Sequence, residues 1–357
     1  MTRPGELCPQ VYAFATLLRA FRKARRGKRQ HPEVADFTWR LEEHLLTLQD
    51  ELRSGTYTPG LYQHFWVSEP KRRKISAAPF RDRVVHHALV GVLEPLFEPR
   101  FIADSYACRR GKGTHRAVAR CLGWVRGYPY VLRGDVRKFF PSVDHEILLR
   151  RLARVISDQA VLALCARILA SGAGVLEDEY PQQWFPGDNL FAVLRPRGLP
   201  IGNLTSQFWG NVYLDMLDHF VKRELRCRAY LRYGDDFALF AQDRATLHHW
   251  REAVVAHLAS LRLTAHERQL IVRPTRCGVP FLGFWLFPRR IRLRREAVQR
   301  AARRLRWLRR AYQNGVVGPA QVSASIQAWV AHCAYARSLG LRRALLGGAR
   351  FVRFSEG

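Results

Sequence analysis

The chain is poor in acidic residues, poor in lysine and without any closely spaced pair of cysteines. Its 357 residues carry 30 Asp and Glu against 59 Lys and Arg, a formal net charge of +29. Seven of those cations are lysines (Lys23, Lys28, Lys71, Lys74, Lys112, Lys138 and Lys222), so the positive charge is overwhelmingly guanidinium. Arginine binds phosphate bidentately and stacks on bases, which suits a nucleic-acid channel. A GC-rich genome would account for arginine over lysine but not for the excess of cations, so nucleic acid is the expected partner. The seven cysteines (Cys8, Cys108, Cys121, Cys165, Cys227, Cys277 and Cys333) contain no C-x-x-C pair. That argues against a zinc knuckle and for scattered reduced thiols. His86-His87 and His248-His249 would point about 100° apart on a helix and make poor joint ligands. No apolar run approaches transmembrane length, the Arg-rich N-terminus lacks a signal-peptide core, and no repeat or low-complexity tract appears. The expectation is a soluble, cytoplasmic protein with no membrane contact.

What is present is a foldable chain. Hydrophobic residues make up 48% and charged residues 25%, a balance that favours packed domains over disorder. Two helical patterns open it, Val11 to Ala24 and Val34 to Arg53, the second with Phe37, Leu41, Leu45, Leu48 and Leu52 at helical spacing. The basic run Arg22 to Arg29 between them is either a solvated connector or an RNA contact. A basic, strand-like segment from Glu69 to Ile75 precedes a helix that buries Val84, Val85, Ala88, Leu89, Val92, Leu93, Leu96 and Phe97 and ends by Pro99. Tyr128 to Val136 reads as a buried strand, and Gly202 to Arg226 as a long helix opened by Asn203, Thr205 and Ser206 as caps. Ala229 to Ala241 forms two apolar arms around Gly234-Asp235-Asp236, a hairpin pattern. A strand over Val279 to Phe287, a strongly basic helix from Arg294 to Tyr312 and a last helix from Gln321 to Arg337 complete the chain. Mixed elements followed by helices alone imply an α+β body with a helical C-terminal domain.

The strongest chemical signal is Leu231-Arg232-Tyr233-Gly234-Asp235-Asp236-Phe237. Adjacent acids flanked by apolar strands repel each other and add nothing to a buried strand. Divalent cations remove that conflict, because carboxylates are hard oxygen ligands suited to Mg²⁺. An ordinary Gly-Asp surface turn is the alternative. The partner acid is Asp135, in Arg133-Gly134-Asp135-Val136-Arg137-Lys138-Phe139-Phe140-Pro141-Ser142, which only the fold can bring near Asp235. Metals held by such acids would clamp the attacking and leaving oxygens of a displacement, about 3.5–4 Å apart. Asp144 is close by, but its surroundings read as a helix start, which makes it a cap.

These motifs resemble the first and third palm motifs of reverse transcriptases, and Leu199-Pro200-Ile201-Gly202-Asn203-Leu204-Thr205-Ser206-Gln207 is similar to the second. Lys71 to Arg83, and Asp104 to His115 with Arg109, Gly111, Lys112 and Gly113, resemble two fingers motifs. Phe281-Leu282-Gly283-Phe284 resembles the primer grip, and Trp329-Val330-Ala331-His332 a thumb signature. The resemblance covers about residues 60 to 345. It implies a right-hand polymerase: an N-terminal helical extension (1–60), fingers and palm with an antiparallel sheet (61–288) and a helical thumb (289–357). It also implies an RNA-directed DNA polymerase in which a primer 3′-hydroxyl attacks the α-phosphate of a dNTP on an RNA template. Asp135, Asp235 and Asp236 are then catalytic and, with Val136, hold two Mg²⁺ ions, for which Mn²⁺ would substitute. Arg72 and Lys74 would neutralise the triphosphate, unless they belong to a solvated basic strand. Phe139, Phe140, Ile201, Gly202 and Gln207 would line the nucleotide, and Tyr233, Phe281, Leu282, Gly283, Arg109 and Lys112 would meet primer and template.

Ile201-Gly202-Asn203-Leu204-Thr205-Ser206-Gln207 resembles enzymes of diversity-generating retroelements, where most other relatives have Gln-Gly-x-x-x-Ser-Pro. That kinship implies error-prone cDNA synthesis with a structured RNA and a small basic accessory protein. No room for a further nuclease or maturase domain is expected after the thumb. A reverse transcriptase of phage defence is the second reading, and a catalytically inactive RNA-binding scaffold a third, which the intact aspartates oppose. Two departures stand out. Gln269 sits where a lysine is expected, with Arg268 beside it, and Gly234 fills a position that often carries a bulkier residue. Phe140, five residues beyond Asp135, would clash with a ribose 2′-hydroxyl and so argues for deoxynucleotides, unless it is a core aromatic facing away. Ile201 offers dispersion where a glutamine would offer hydrogen bonds, unless it only packs the start of the long helix.

Overall fold

The computed structural model of the chain describes residues 7–68, 72–180, 182–348 and 351–352. Lys71, at the head of the basic segment expected to meet the triphosphate, lies outside them. The opening region is helical, but each expected helix is broken once, giving α1 (Cys8–Tyr12), α2 (Phe14–Ala24), α3 (Pro32–Trp39) and α4 (Leu41–Ser54). Ala13 swings to ψ 129° between the first two, and Arg40 (φ −111°, ψ 42°) interrupts the second pair. The apolar spacing crosses the break intact, since Phe37, Leu45, Leu48 and Leu52 are all buried. A hairpin of β1 (Gln63–Val67) and β2 (Arg73–Ala77) follows, then α5 (Phe80–Phe97), whose Val84, Val85, Ala88, Leu89 and Leu93 enter the core.

Beyond α6 (Thr114–Gly127) comes β3 (Tyr130–Asp135), the strand expected to deliver Asp135. Four helices succeed it: α7 (Phe139–Ser142), α8 (His145–Ala153), α9 (Gln159–Ser171) and α10 (Leu190–Val193). Asp144 caps α8 as expected, accepting from the Ile147 amide at 3.0 Å. The long helix α11 (Leu204–His219) is buried along most of its length and widens into a π-helical turn over Phe220–Glu224. Next stand β4 (Tyr230–Tyr233), β5 (Asp236–Ala241), α12 (Arg244–Ser260) and β6 (Ile271–Pro274).

The single strand expected over Val279 to Phe287 is two, β7 (Val279–Phe281) and β8 (Phe284–Phe287), joined by Leu282 at φ 46° and Gly283 at φ 87°. Two consecutive left-handed residues reverse the chain in a two-residue turn, so the apolar run cannot continue straight. β9 (Arg290–Leu293) completes a three-stranded sheet, and α13 (Arg295–Gln313), α14 (Pro319–Cys333) and α15 (Leu339–Leu346) end the described chain. No described helix is long and apolar enough to cross a membrane.

The sheet that matters is four-stranded and antiparallel, in the order β4-β5-β3-β6. Strand alternation divides its side chains between two apolar layers. Leu132, Phe237 and Leu239 join the large core built with α5, α8 and α11, while Val131, Ala238 and Phe240 join a smaller one with α6, β7 and β8. Asp135 and Asp236 fall on the second face, at the end of the strands where that apolar layer runs out.

Candidate active site

Asp135 and the adjacent Asp235 and Asp236, a hundred residues further along the chain, come to one corner of this sheet. β3 and β5 pair with Asp135 opposite Asp236, and opposed residues of an antiparallel pair project from the same face. β4 and β5 pair Tyr233 with Asp236, which leaves Gly234 and Asp235 as a two-residue loop. Gly234 has φ 64°, the left-handed backbone that such a loop needs at its first central position. A Cβ added there would meet only the Ala107 Cβ at 3.9 Å, so the backbone rather than the space demands glycine. The Val136 amide donates to the Asp235 carbonyl at 3.2 Å, and the His266 amide to the Asp135 carbonyl at 2.8 Å. The loop carrying Arg268 and Gln269 is therefore laid against the end of β3. Behind the acids, Gly134 is opposite Phe237. A Cβ at Gly134 would stand 2.2 Å from Phe237 Cζ and 2.8 Å from Leu270 Cδ1, so glycine lets the ring pass beneath the site.

Sequence reasoning missed two arginines that govern these acids. Arg133 shares a face with Asp135, and its Nη2 donates to Asp236 Oδ1 at 2.7 Å; its buried Nε has no partner. Among the described residues no three His, Cys, Asp or Glu side chains are gathered so as to hold a metal ion. The donor chemistry nonetheless fits a hard divalent cation, with carboxylates on one face and next to it in the loop. Arg133 supplies part of the compensating charge in this conformation. Arg232, fully buried in β4, makes a bidentate pair with Asp218 of α11 at 2.8 and 2.7 Å. Its Nη1 donates to the Gly234 carbonyl at 3.0 Å and to Asn211 Oδ1 at 3.2 Å, and Tyr230 Oη donates to Asp218 at 2.7 Å. Burial works against the Arg232 charge, but Asp218 outweighs it and raises the pKa above the ordinary arginine value. This network ties the tip of the aspartate hairpin to the long helix. A charged residue inside an apolar strand, Leu231-Arg232-Tyr233, was the signal that could have revealed it.

The other expected site residues sit on several elements. Phe139 is buried and Phe140 half-buried against α11, where a Cβ on Gly210 would stand 3.1 Å from the Phe139 ring and 3.8 Å from that of Phe140. The Phe140 carbonyl accepts from the Leu199 amide at 2.8 Å, which joins this segment to Ile201 and Gly202. Ile201 is half-buried, and Gln207 is exposed on α11. Arg72 is exposed with its guanidinium 4.3 Å from the Trp66 ring centre, and Lys74 Nζ donates to the Val175 carbonyl at 3.2 Å. Tyr233 Oη lies 3.0 Å from Thr114 Oγ1, and Lys112 Nζ donates to the Ala103 carbonyl at 2.7 Å.

Two side chains are placed differently from what the sequence suggests. Arg109, read as a primer or template contact, is buried and directs every donor inward: to the Glu98 carboxylate at 2.8–3.2 Å and to the Glu98, Ile102 and Ser105 carbonyls. With no N–H left for a phosphate, it braces the segment before α6. Phe281 is a core residue, so only Leu282 and Gly283, at the tip of the β7–β8 turn, offer backbone to a ligand there. A Cβ on Gly283 would stand 3.5 Å from His332 Nε2, and His332 packs on Phe284 at 4.5 Å between ring centres. The expected grip and thumb signatures therefore touch.

Residues 68–286, more than half of the chain, match the family described as reverse transcriptase (RNA-dependent DNA polymerase). Protein YkfC of Escherichia coli (strain K12) is 26% identical over 294 residues, 71% of this chain and 74% of that protein. The group II intron-encoded protein LtrA of Lactococcus lactis subsp. cremoris is 26% identical over 183 residues, 50% of this chain and 28% of LtrA. Nuclear intron maturase 1, mitochondrial, of Arabidopsis thaliana is 37% identical over 101 residues, 28% of this chain and 14% of the maturase. The chain thus spans under a third of the length of these two intron-related proteins. A structure of telomerase from Candida albicans with a TWJ fragment of telomeric RNA aligns with a TM-score of 0.44 at 10% identity, covering 83% of this chain and 56% of that one.

Removing the Arg232 charge leaves Asp218 buried and uncompensated, so Arg232→Met should destabilise the fold by about 3–5 kcal/mol. Arg232→Met combined with Asp218→Asn should recover much of that loss, because no net charge is then left in the core. Equilibrium denaturation of the two variants and wild type checks this. A single variant as stable as wild type would show that the pair does not brace the hairpin.

Proposed function

We propose, for a chain that belongs to the reverse transcriptase family and is an RNA-directed DNA polymerase of right-hand fold, that it makes error-prone cDNA for a diversity-generating retroelement. The observation that carries the polymerase reading is the register that sets Asp135 against Asp236 with Asp235 in the adjoining loop. Two Mg²⁺ ions, held by the three carboxylates and the Val136 carbonyl, would supply activation of the primer 3′-hydroxyl and charge relief at the departing pyrophosphate. The Arg133 guanidinium beside Asp236 limits repulsion among the acids. Arg72, just before β2, and Lys74, on it, bring fixed cations to the triphosphate, where negative charge builds during transfer. Tyr233, Lys112 and the Leu282-Gly283 turn border the path of primer and template, and the guanidinium-rich surface binds the RNA backbone.

Phe140 sets the sugar preference. Its ring lies beside Phe139 and Gly210 of α11 and would give a 2′-hydroxyl neither room nor a hydrogen bond. On a primed RNA template, Phe140→Val should raise incorporation of ATP relative to dATP by roughly tenfold or more. Unchanged discrimination would place the gate elsewhere and make Phe140 a packing residue.

Ile201 supports the mutagenic reading. Its carbonyl is taken by the Ser76 amide at 2.8 Å, and its side chain has no hydrogen bond to lose when a mispaired base shifts the sugar. One hydrogen bond is worth roughly 0.5–1.5 kcal/mol, so Ile201→Gln should lower misincorporation several-fold. The measurement is the error spectrum opposite each template base for wild type and variant. Identical spectra would reduce Ile201 to packing and remove the residue-level support for a diversity-generating role.

A further inference from the structure

The β1–β2 hairpin is a two-stranded sheet, and every residue of β1 is exposed. A hairpin of that kind has little stability or fixed position of its own, yet it carries Arg72 and Lys74. Besides the Lys74–Val175 and Gln63–Glu33 contacts, one buried side chain from elsewhere in the chain helps to seat it. Asn203, 3% exposed, stands just before α11. The sequence suggests a helix cap, but its side chain makes no capping bond. It turns instead to β2: Nδ2 donates to the Ser76 carbonyl at 2.8 Å and to the Pro200 carbonyl at 3.1 Å, and Oδ1 accepts from the Ala78 amide at 3.1 Å. The Ser76 amide donates to the Ile201 carbonyl at 2.8 Å. Both backbone groups of Ser76 are therefore spent on the Ile201–Asn203 segment, and the Asn203 carboxamide continues the edge of β2 as a peptide group would. Gly202, at φ 114°, allows the close approach, since a Cβ there would stand 2.8 Å from Ile75 Cγ2.

We propose that Asn203 is a positioning residue that fixes β2, and with it Arg72 and Lys74, relative to the aspartate corner, and so sets the affinity for the incoming nucleotide. The inference rests on the polymerase reading given above. It separates nucleotide binding from chemistry, because Asn203 holds the strand that meets the triphosphate and touches none of the aspartates.

Asn203→Asp keeps the size but sets a carboxylate oxygen against the Ser76 and Pro200 carbonyls. The full-length protein should be assayed on a primed RNA template for dNTP KM and kcat and for affinity toward the primed RNA. The Kd for dNTP should be measured separately on a dideoxy-terminated primer. The expected result is a rise of about tenfold in KM and Kd for dNTP, the equivalent of one or two weak hydrogen bonds. kcat should stay within about twofold, and affinity for primed RNA should not change. Asn203→Ala, which removes the contacts without adding charge, should move the same constants in the same direction. Unchanged dNTP constants in both variants would overturn the proposal. So would a loss of kcat and RNA affinity in proportion to dNTP affinity, which marks a purely structural role. A wild-type protein that binds primed RNA but no dNTP would overturn the polymerase reading itself, and this inference with it.

Discussion

The pairing of β3 with β5 is the constraint on which the site depends. Side chains alternate along a strand, so sliding β5 by one residue would turn Asp236 into the large apolar core and bring Phe237 to the face it now occupies. Nothing about the aspartates themselves selects the correct register. Shape on the opposite face does: Gly134 leaves room for the Phe237 ring, and Leu132 and Leu239 are register partners in the same core. β6 pairs along the other side of β3, and the chain just before it donates from the His266 amide to the Asp135 carbonyl. Apolar packing thus places groups that would otherwise repel one another, and it does so a few residues from where they are needed.

Charge is distributed with the same economy. In a chain with a net charge of +29, several of the few carboxylates are buried, and three of them are matched to arginine: Asp218 to Arg232, Asp215 to Arg151, and Asp144 to Arg262. Such pairs add little net stability over apolar contacts of the same volume, but breaking one is costly. Their value here is geometric. The Arg232–Asp218 pair fixes the carbonyl of Gly234, and hence the tip that presents Asp235 and Asp236, to a helix buried in the core. Arg133 is different, because it is paired with Asp236 beside the other two aspartates.

Much of this was legible in the residues. The strand ending at Asp135, the hairpin around Gly234, the buried face of α5 and the cap at Asp144 each follow from local pattern and local chemistry, which a single sequence exposes. The breaks at Ala13 and Arg40 were not, because apolar spacing continues across them. Leu282 hid the β7–β8 turn, since a leucine seldom adopts a left-handed backbone. Arg109 and Asn203 were misread for a common reason. A polar side chain in a motif suggests a ligand or a cap, whereas its partners, Glu98 and Ser76, are found only in the folded chain. For the Arg232–Asp218 pair the buried arginine shows in the strand pattern, but its partner on the helix shows only in the folded chain.

The central claim is that the β3–β5 register makes a metal-dependent polymerising site of Asp135, Asp235 and Asp236. Single-turnover incorporation of one dNTP on a primed RNA template by Asp135→Asn, with thermal melting of the same preparation, tests it most directly. The expected result is a loss of rate of at least about a hundredfold with the melting transition retained. Asp135 is only partly buried and ends its strand, so the amide can replace it without loss of packing. Primer extension by this variant at the wild-type rate would contradict the claim.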